Sequence, residues 1–160
     1  MWAIDVPRNG TDKLNKIART VLQQACHYNG FNFSDENDEA PFLAGLYKKY
    51  HAQGLEIVAL SFEEADQLKD PVRLRAFVRK YGIEYTVLVA GDTSEAADKL
   101  SQAQNWTSWP TTFFVGRDGL VRGTHAGFPS SGSGELFTKA KEEFEAKVER
   151  LLAESVQSSR

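Results

Sequence analysis

The chain predicts an α/β domain in which helices cover the faces of a mixed sheet that ends in an antiparallel hairpin. Three observations carry this. From Asp35 onward, segments with helical and strand character follow in the order α, β, α, β, α, β, β, α, the alternation that puts a sheet between helices. The stretch W-P-T-T-F-F-V-G-R-D-G, Trp109 to Gly119, sets a proline before five β-branched or aromatic residues and then a turn. Finally, 160 residues with 41% hydrophobic and 26% charged side chains suit one globular core.

Each element has its own warrant. In residues 11–29, Leu14, Ile17, Ala18, Val21, Leu22 and Ala25 fall on one face at the helical period, so a helix is expected there, with Thr11 as cap and Gly30 as stop. Cys26 and His27 lie near its end. Gly30-Phe31-Asn32-Phe33 is either a brief strand or a connector. Ser34 caps the next helix, and Asp35, Glu36, Asp38 and Glu39 place negative charge at its positive end. Phe42, Leu43, Leu46, Tyr47 and Tyr50 form its apolar stripe, Pro41 should kink or restart it, and Gly54 ends it.

Leu55 to Phe62 reads as a buried strand. Asp70-Pro71 opens a helix with Leu74, Phe77, Val78 and Tyr81 inside and Gly82 as stop. Tyr85 to Ala90 is a further strand, and a short helix capped by Thr93 or Ser94 fits the span to Gln104. Pro110 belongs at the head of the strand Thr111 to Val115, because proline cannot donate to a ladder. Arg117-Asp118-Gly119 turns the chain, and Leu120 to His125 returns. After F-P-S-S-G-S-G, Glu135 to Ala153 forms a closing helix, and Ser155 to Arg160 frays.

Composition excludes several classes of function. The net charge of −3 comes without a basic face, which argues against nucleic acid as a partner. No run approaches the roughly 18 apolar residues of a membrane span. Met1 to Gly10 lacks the basic start and apolar core of a signal peptide, so the chain as written is expected in the cytoplasm. Cys26 is the single cysteine, so an internal disulfide, a C-x-x-C pair and a multi-cysteine zinc site are ruled out. His27, His51 and His125 are scattered; neither a metal nor a cofactor is expected.

At two places the chain resembles a known family. D-E-A-P-F-L-A-G-L-Y-K-K-Y-H-A-Q-G-L-E-I-V-A-L-S-F, Asp38 to Phe62, is similar to the first helix and following strand of TlpA-type thiol–disulfide reductases. These belong to the redoxin (AhpC/TSA-like) branch of the thioredoxin fold. W-P-T-T-F-F-V-G-R-D-G-L-V resembles that family's cis-proline strand and hairpin, and Y-G-I-E-Y-T-V-L-V matches between them. The resemblance covers Asp38 to about Glu154 and implies a thioredoxin-like domain over residues 35–154. It would be preceded by an atypical helical segment, 1–34, packed on the domain, and followed by a frayed tail, 155–160. The family is commonly exported to the periplasm or cell envelope.

The resemblance also implies where chemistry should sit: a buried strand running into W-C-x-x-C at the start of the helix, where the helix end lowers a thiol's pKa. Counting back from Asp38, the two cysteine positions fall on Phe33 and Glu36. Neither carries sulfur, and Cys26 lies seven residues before the first of them. Glu39 matches the acidic residue that several relatives use to manage the thiols' protons. The family's central strand would fall where this chain offers a helical pattern. Four solutions are open: residues 24–33 are strand despite their pattern, the flanking strands close up, a partner completes the sheet, or the first ~35 residues stem from an altered start, frame or gene join.

Candidate sites follow. Trp109, Pro110 and Thr111 would bind a peptide or protein segment, with Trp106 as a second aromatic at the loop. A cis bond at Trp109–Pro110 is implied by the family. Cys26 beside His27 suggests a Cys–His nucleophile, but helical neighbours point about 100° apart, and a structural cysteine is the plainer reading. Glu36, Asp38 and Glu39 as an acid/base or metal set, and Glu63-Glu64 as catalysts, are weaker than their readings as helix-end charge and solvated loop. The sequence thus favours a redox-inactive thioredoxin-like binding module. The alternatives are an oxidoreductase acting through Cys26 alone and a chain whose N-terminus has lost the active-site strand.

Overall fold

The structure, a computed structural model, describes residues 20–27, 34–96 and 109–154; for 20–27 and 34–37 the description is of the backbone. Its elements are β1 (Thr20–His27), α1 (Ser34–Tyr50), β2 (Leu55–Glu63), α2 (Ala65–Lys69), α3 (Val72–Tyr81), β3 (Thr86–Asp92), β4 (Thr111–Val115), β5 (Val121–Ala126) and α4 (Glu135–Ala153). Five strands make one mixed sheet in the order β3-β2-β1-β4-β5.

The first correction concerns β1. The helical pattern expected over residues 11–29 does not hold for 20–27, which form a strand in the middle of the sheet. β1 pairs in parallel with β2, from Thr20 opposite Leu55 to His27 opposite Phe62. On its other side it pairs antiparallel with β4, from Val21 opposite Val115 to Ala25 opposite Thr111. Residues 20–27 are therefore an internal strand of the sheet whose other strands the sequence pattern placed after residue 35. The reason is hydrogen-bonding demand. An empty slot would orphan backbone groups along β2 and β4, at roughly 1–3 kcal/mol for each buried group. Val21, Leu22 and Ala25 satisfy a buried strand as well as a helix face. The Gly30–Phe33 connector and the N-terminal part of the expected helix lie outside the described residues.

The later elements follow their sequence signals closely. α1 begins at Ser34 and runs without restarting through Pro41, whose ring faces solvent; the carbonyl that loses its intrahelical partner there can be hydrated. Gly54, at φ 104°, closes the turn after α1, and Gly82, at φ 58°, stops α3, both in the left-handed region that glycine enters without a steric cost. Asp92, not Thr93 or Ser94, caps the turn after β3: its carboxylate accepts from Ser94 N at 2.8 Å, and Glu95 Oε2 accepts from Asp92 N at 3.0 Å. The remainder of the helix expected to Gln104 falls outside the described residues. α2 was not anticipated; five residues are too few to show a helical period.

The main core lies between the sheet and α1 with α4. Leu43, Leu46 and Tyr50 of α1 and Phe144, Val148 and Leu151 of α4 meet Leu55, Ile57 and Ala59 of β2 and Phe114 of β4. Phe144 is its hub, in ring contact with Phe42, Phe114 and Phe128 at 5.0–5.9 Å, edge-on arrangements that suit aromatic quadrupoles. A smaller cluster of Phe62 and Ala96, with Leu60, Ala90 and Trp109 against it, lies beside the cis-proline loop.

Candidate functional site

The C-terminal ends of β1 and β2 and the first residue of β4 come together at one edge of the sheet, and α1 starts above them. This is where an α/β sheet leaves a crevice for ligands. The Trp109–Pro110 peptide is cis, as the resemblance implied. Pro110 is buried, and its carbonyl accepts from Gly127 N at 2.7 Å, which ties the loop to the end of β5. The half-buried Trp109 ring rests on Phe62, with centroids 5.6 Å apart. Thr111, 8% exposed, starts the strand.

Beneath this loop sits Glu39. Its side chain is 1% exposed, and its Oε1 accepts from the Thr112 hydroxyl at 3.0 Å; Thr112 itself is fully buried. One turn from the start of α1, a carboxyl group is thus held under the proline strand rather than in water. Burying such a group is costly unless donors meet it, and Thr112 supplies one. Asp38 points the other way, accepting from Ser131 N at 2.6 Å. The first turns of α1 therefore fix both β4 and the 127–134 loop. Among the described residues no group of three His, Cys, Asp or Glu side chains could hold a metal ion.

Of the candidate residues, the structure brings together Trp109, Pro110, Thr111 and Glu39. Cys26 is placed by its backbone: it is opposite Ser61 in β2, and one step beyond the Ala25–Thr111 pair that ends the ladder with β4. His27 is the last residue of β1. Glu36 lies in the first turn of α1. Phe33 and Trp106 fall outside the described residues. His125, on β5, packs edge-on against Phe144 at 4.7 Å, and burial followed by the nearby Lys147 charge pushes its imidazole pKa down.

Two buried polar groups at this edge escaped the sequence reading. Glu63, taken there as solvated loop, is fully buried, and Ser61 Oγ donates to its Oε1 at 2.5 Å; only Glu64 is exposed. A signal existed: Leu55, Ile57, Ala59, Ser61 and Glu63 share one strand parity, and the first three are plainly apolar. Thr112 shares parity with the buried Phe114 in the same way.

Comparison with known proteins agrees with this geometry. Residues 35–124 match the model of the AhpC/TSA family. The thiol-disulfide oxidoreductase ResA of Bacillus thuringiensis (strain Al Hakam) is 30% identical over 83 residues, 52% of this chain and 42% of that protein; the chain spans less than half the length of the curated relatives it matches. Two solved structures share the fold. A thiol:disulfide interchange protein, a thioredoxin family protein from Chlorobium tepidum TLS, superposes with a TM-score of 0.64 at 20% identity, over 89% of this chain and 85% of the other. A thiol-disulfide isomerase from Corynebacterium glutamicum does so with a TM-score of 0.59 at 15% identity, over 89% and 86%.

Proposed function

The chain belongs to the AhpC/TSA family, and we propose that it is a thioredoxin-like domain that has given up dithiol exchange and keeps a peptide-binding groove at Trp109, Pro110 and Thr111. The observation that carries this is chemical. Disulfide exchange needs a thiolate to attack and a second thiol to resolve the mixed disulfide. The two positions to which the resemblance assigns them hold Phe33 and Glu36. Glu36 and its acidic neighbours Asp35 and Asp38 would also oppose a thiolate at that helix end.

Supporting the groove, the loop retains its tethers: Trp109 on Phe62, the Pro110 carbonyl on Gly127, and Glu39 under Thr112. A half-buried tryptophan beside a fixed loop offers large contact area at little entropic cost. The reading places the binding domain at residues 35–154 together with β1, and its partner is a protein or peptide segment.

A second reading is supported by one observation, the register whose last pair, Ala25 with Thr111, leaves Cys26 one residue further along β1 towards the Pro110 end of β4. In it the Cys26 thiolate attacks a substrate disulfide and one substrate sulfur leaves as a thiol; an external dithiol then attacks the Cys26 sulfur, the second substrate sulfur leaves as a thiol, and the dithiol closes to its own disulfide, returning Cys26 as the thiolate. Turnover of a dithiol-reducible substrate such as insulin separates the two. The first reading expects no turnover by wild type above background. Turnover that is abolished by Cys26→Ser supports the second reading, and turnover that survives it refutes both.

A further inference from the structure

Along one side of the domain, α3 and the sheet fail to close on each other. The sequence pattern gives α3 an apolar side, yet no residue of the helix is buried. Between it and the sheet lies an open groove of about 740 Å³. Pro71, Leu74 and Val78 form one wall, while Leu60 and residues 87–89 of β3 form the floor and the opposite lip. Leu60 and its partner Leu88 face away from the core residues Leu55, Ile57 and Ala59, whereas Tyr85 and Val87 also touch the main core, so the groove runs along β3, the edge strand of the sheet. Val89 is 36% exposed there, and Val72, at the head of α3, is 51% exposed.

The charge at this groove is as distinctive as its apolar lining. Positions 71, 74, 75, 78 and 79 make one helical stripe, so Arg75 and Arg79 stand one turn apart along the groove's rim. Residues 72–81 carry Arg73, Arg75, Arg79 and Lys80 and no acid, in a chain of net charge −3. Arg75 is ion-paired with Asp70. Arg79 is exposed and has no ion pair among the described residues.

We propose that this groove binds a free long-chain monocarboxylate, with the acyl chain laid between Leu74, Val78 and the floor and the carboxylate on Arg79. Small-molecule sites have volumes of about 300–1,000 Å³, are mostly apolar, and hold a few convergent polar groups, a description this groove meets. An Arg on the rim of an apolar groove matches one anionic head on one apolar chain, since a guanidinium takes a carboxylate in bidentate fashion. The groove's concavity favours a single chain lying within it over contact with a flat bilayer.

Calorimetric titration of the full chain with dodecanoate, tetradecanoate and hexadecanoate, each below its critical micelle concentration, tests this. Affinity is expected to rise about fourfold per added methylene while the chain still enters the groove. Arg79→Glu should weaken binding at least tenfold, and the methyl esters should bind wild type at least tenfold more weakly than the acids. Arg150→Glu, a charge reversal on exposed α4, should change neither. The ester and chain-length series use wild type alone, so they stand even if a variant misfolds. The proposal is overturned by an absence of binding, as when another part of the chain occupies the groove. It is equally overturned by esters bound as well as acids, by indifference to Arg79→Glu, or by ligand-free dimerisation in sedimentation that Val78→Asp abolishes. Binding only to phosphatidylglycerol vesicles or to an acidic amphipathic peptide, with none to the monomeric acids, would assign the surface to a different partner and refute it.

Discussion

Replacing Thr112 with valine keeps the shape of the side chain and removes one hydroxyl, and the structure says what that hydroxyl is for. It is fully buried and donates at 3.0 Å to Glu39 Oε1, itself on a side chain 1% exposed. In Thr112→Val no water can replace the lost donor without opening the core between α1 and β4. Leaving a buried acceptor short of a donor costs about 1–3 kcal/mol, and a loss of that size is expected. For a domain of this size that corresponds to a fall in Tm of roughly 2–12 °C. Urea unfolding of wild type, Thr112→Val, Glu39→Leu and the double variant forms a cycle. The two sites should couple by about 1–3 kcal/mol, the range of directly bonded pairs, so that the second substitution costs much less once the first is made. Effects that simply add, or a single Thr112→Val within about 0.5 kcal/mol of wild type, would show that Glu39 does not depend on Thr112. The link between the first turn of α1 and the proline strand would then have to lie elsewhere.

Two further outcomes follow from the same packing. Phe144→Ala, which empties the ring cluster of Phe42, Phe114 and Phe128, should destabilise by about 3–5 kcal/mol, read by the urea midpoint at unchanged slope; a loss under about 1 kcal/mol would mean the cluster is not a packed core. His125 has its imidazole pKa lowered from 6.5, first by burial and then by Lys147, with Glu143 opposing them. In the window below 6.5 the unfolded chain therefore binds more protons than the folded one, and stability rises with pH there. That contribution is complete above the unfolded value and is lost as pH falls from about 6.5 towards the folded one. His125→Gln should flatten this slope between pH 5 and 7, and an unaltered slope would exclude His125 as its source.

Much of the domain was legible because its signals are local. Ser34, Gly54, Pro71 and Gly82 mark helix ends through backbone requirements that need no tertiary partner. The proline-headed strand and the Arg117–Gly119 turn are equally local, and Glu135–Ala153 appears with the bounds its periodicity suggested. The resemblance carried by Asp38 to Phe62 and by the proline hairpin singled out Glu39 and the Trp109–Thr111 loop, and implied the cis bond at Pro110, before any contact was seen.

Three features were decided only in three dimensions. Val21, Leu22 and Ala25 fit a helical stripe and a buried strand equally well. The unpaired edges of β2 and β4 settle the matter by offering ladders on both sides of residues 20–27. Glu63 looked like loop because a carboxylate at a strand's end usually reaches water; here its parity with Leu55 and Ile57 and its bond from Ser61 hold it inside. The groove beside α3 could not be read at all, since an amphipathic stripe shows that a helix has an apolar side and not whether anything closes over it. Sequence determined what each segment prefers to be. The neighbours determined which preference could be satisfied, because hydrogen-bond ladders and burial are properties of pairs of elements and not of one.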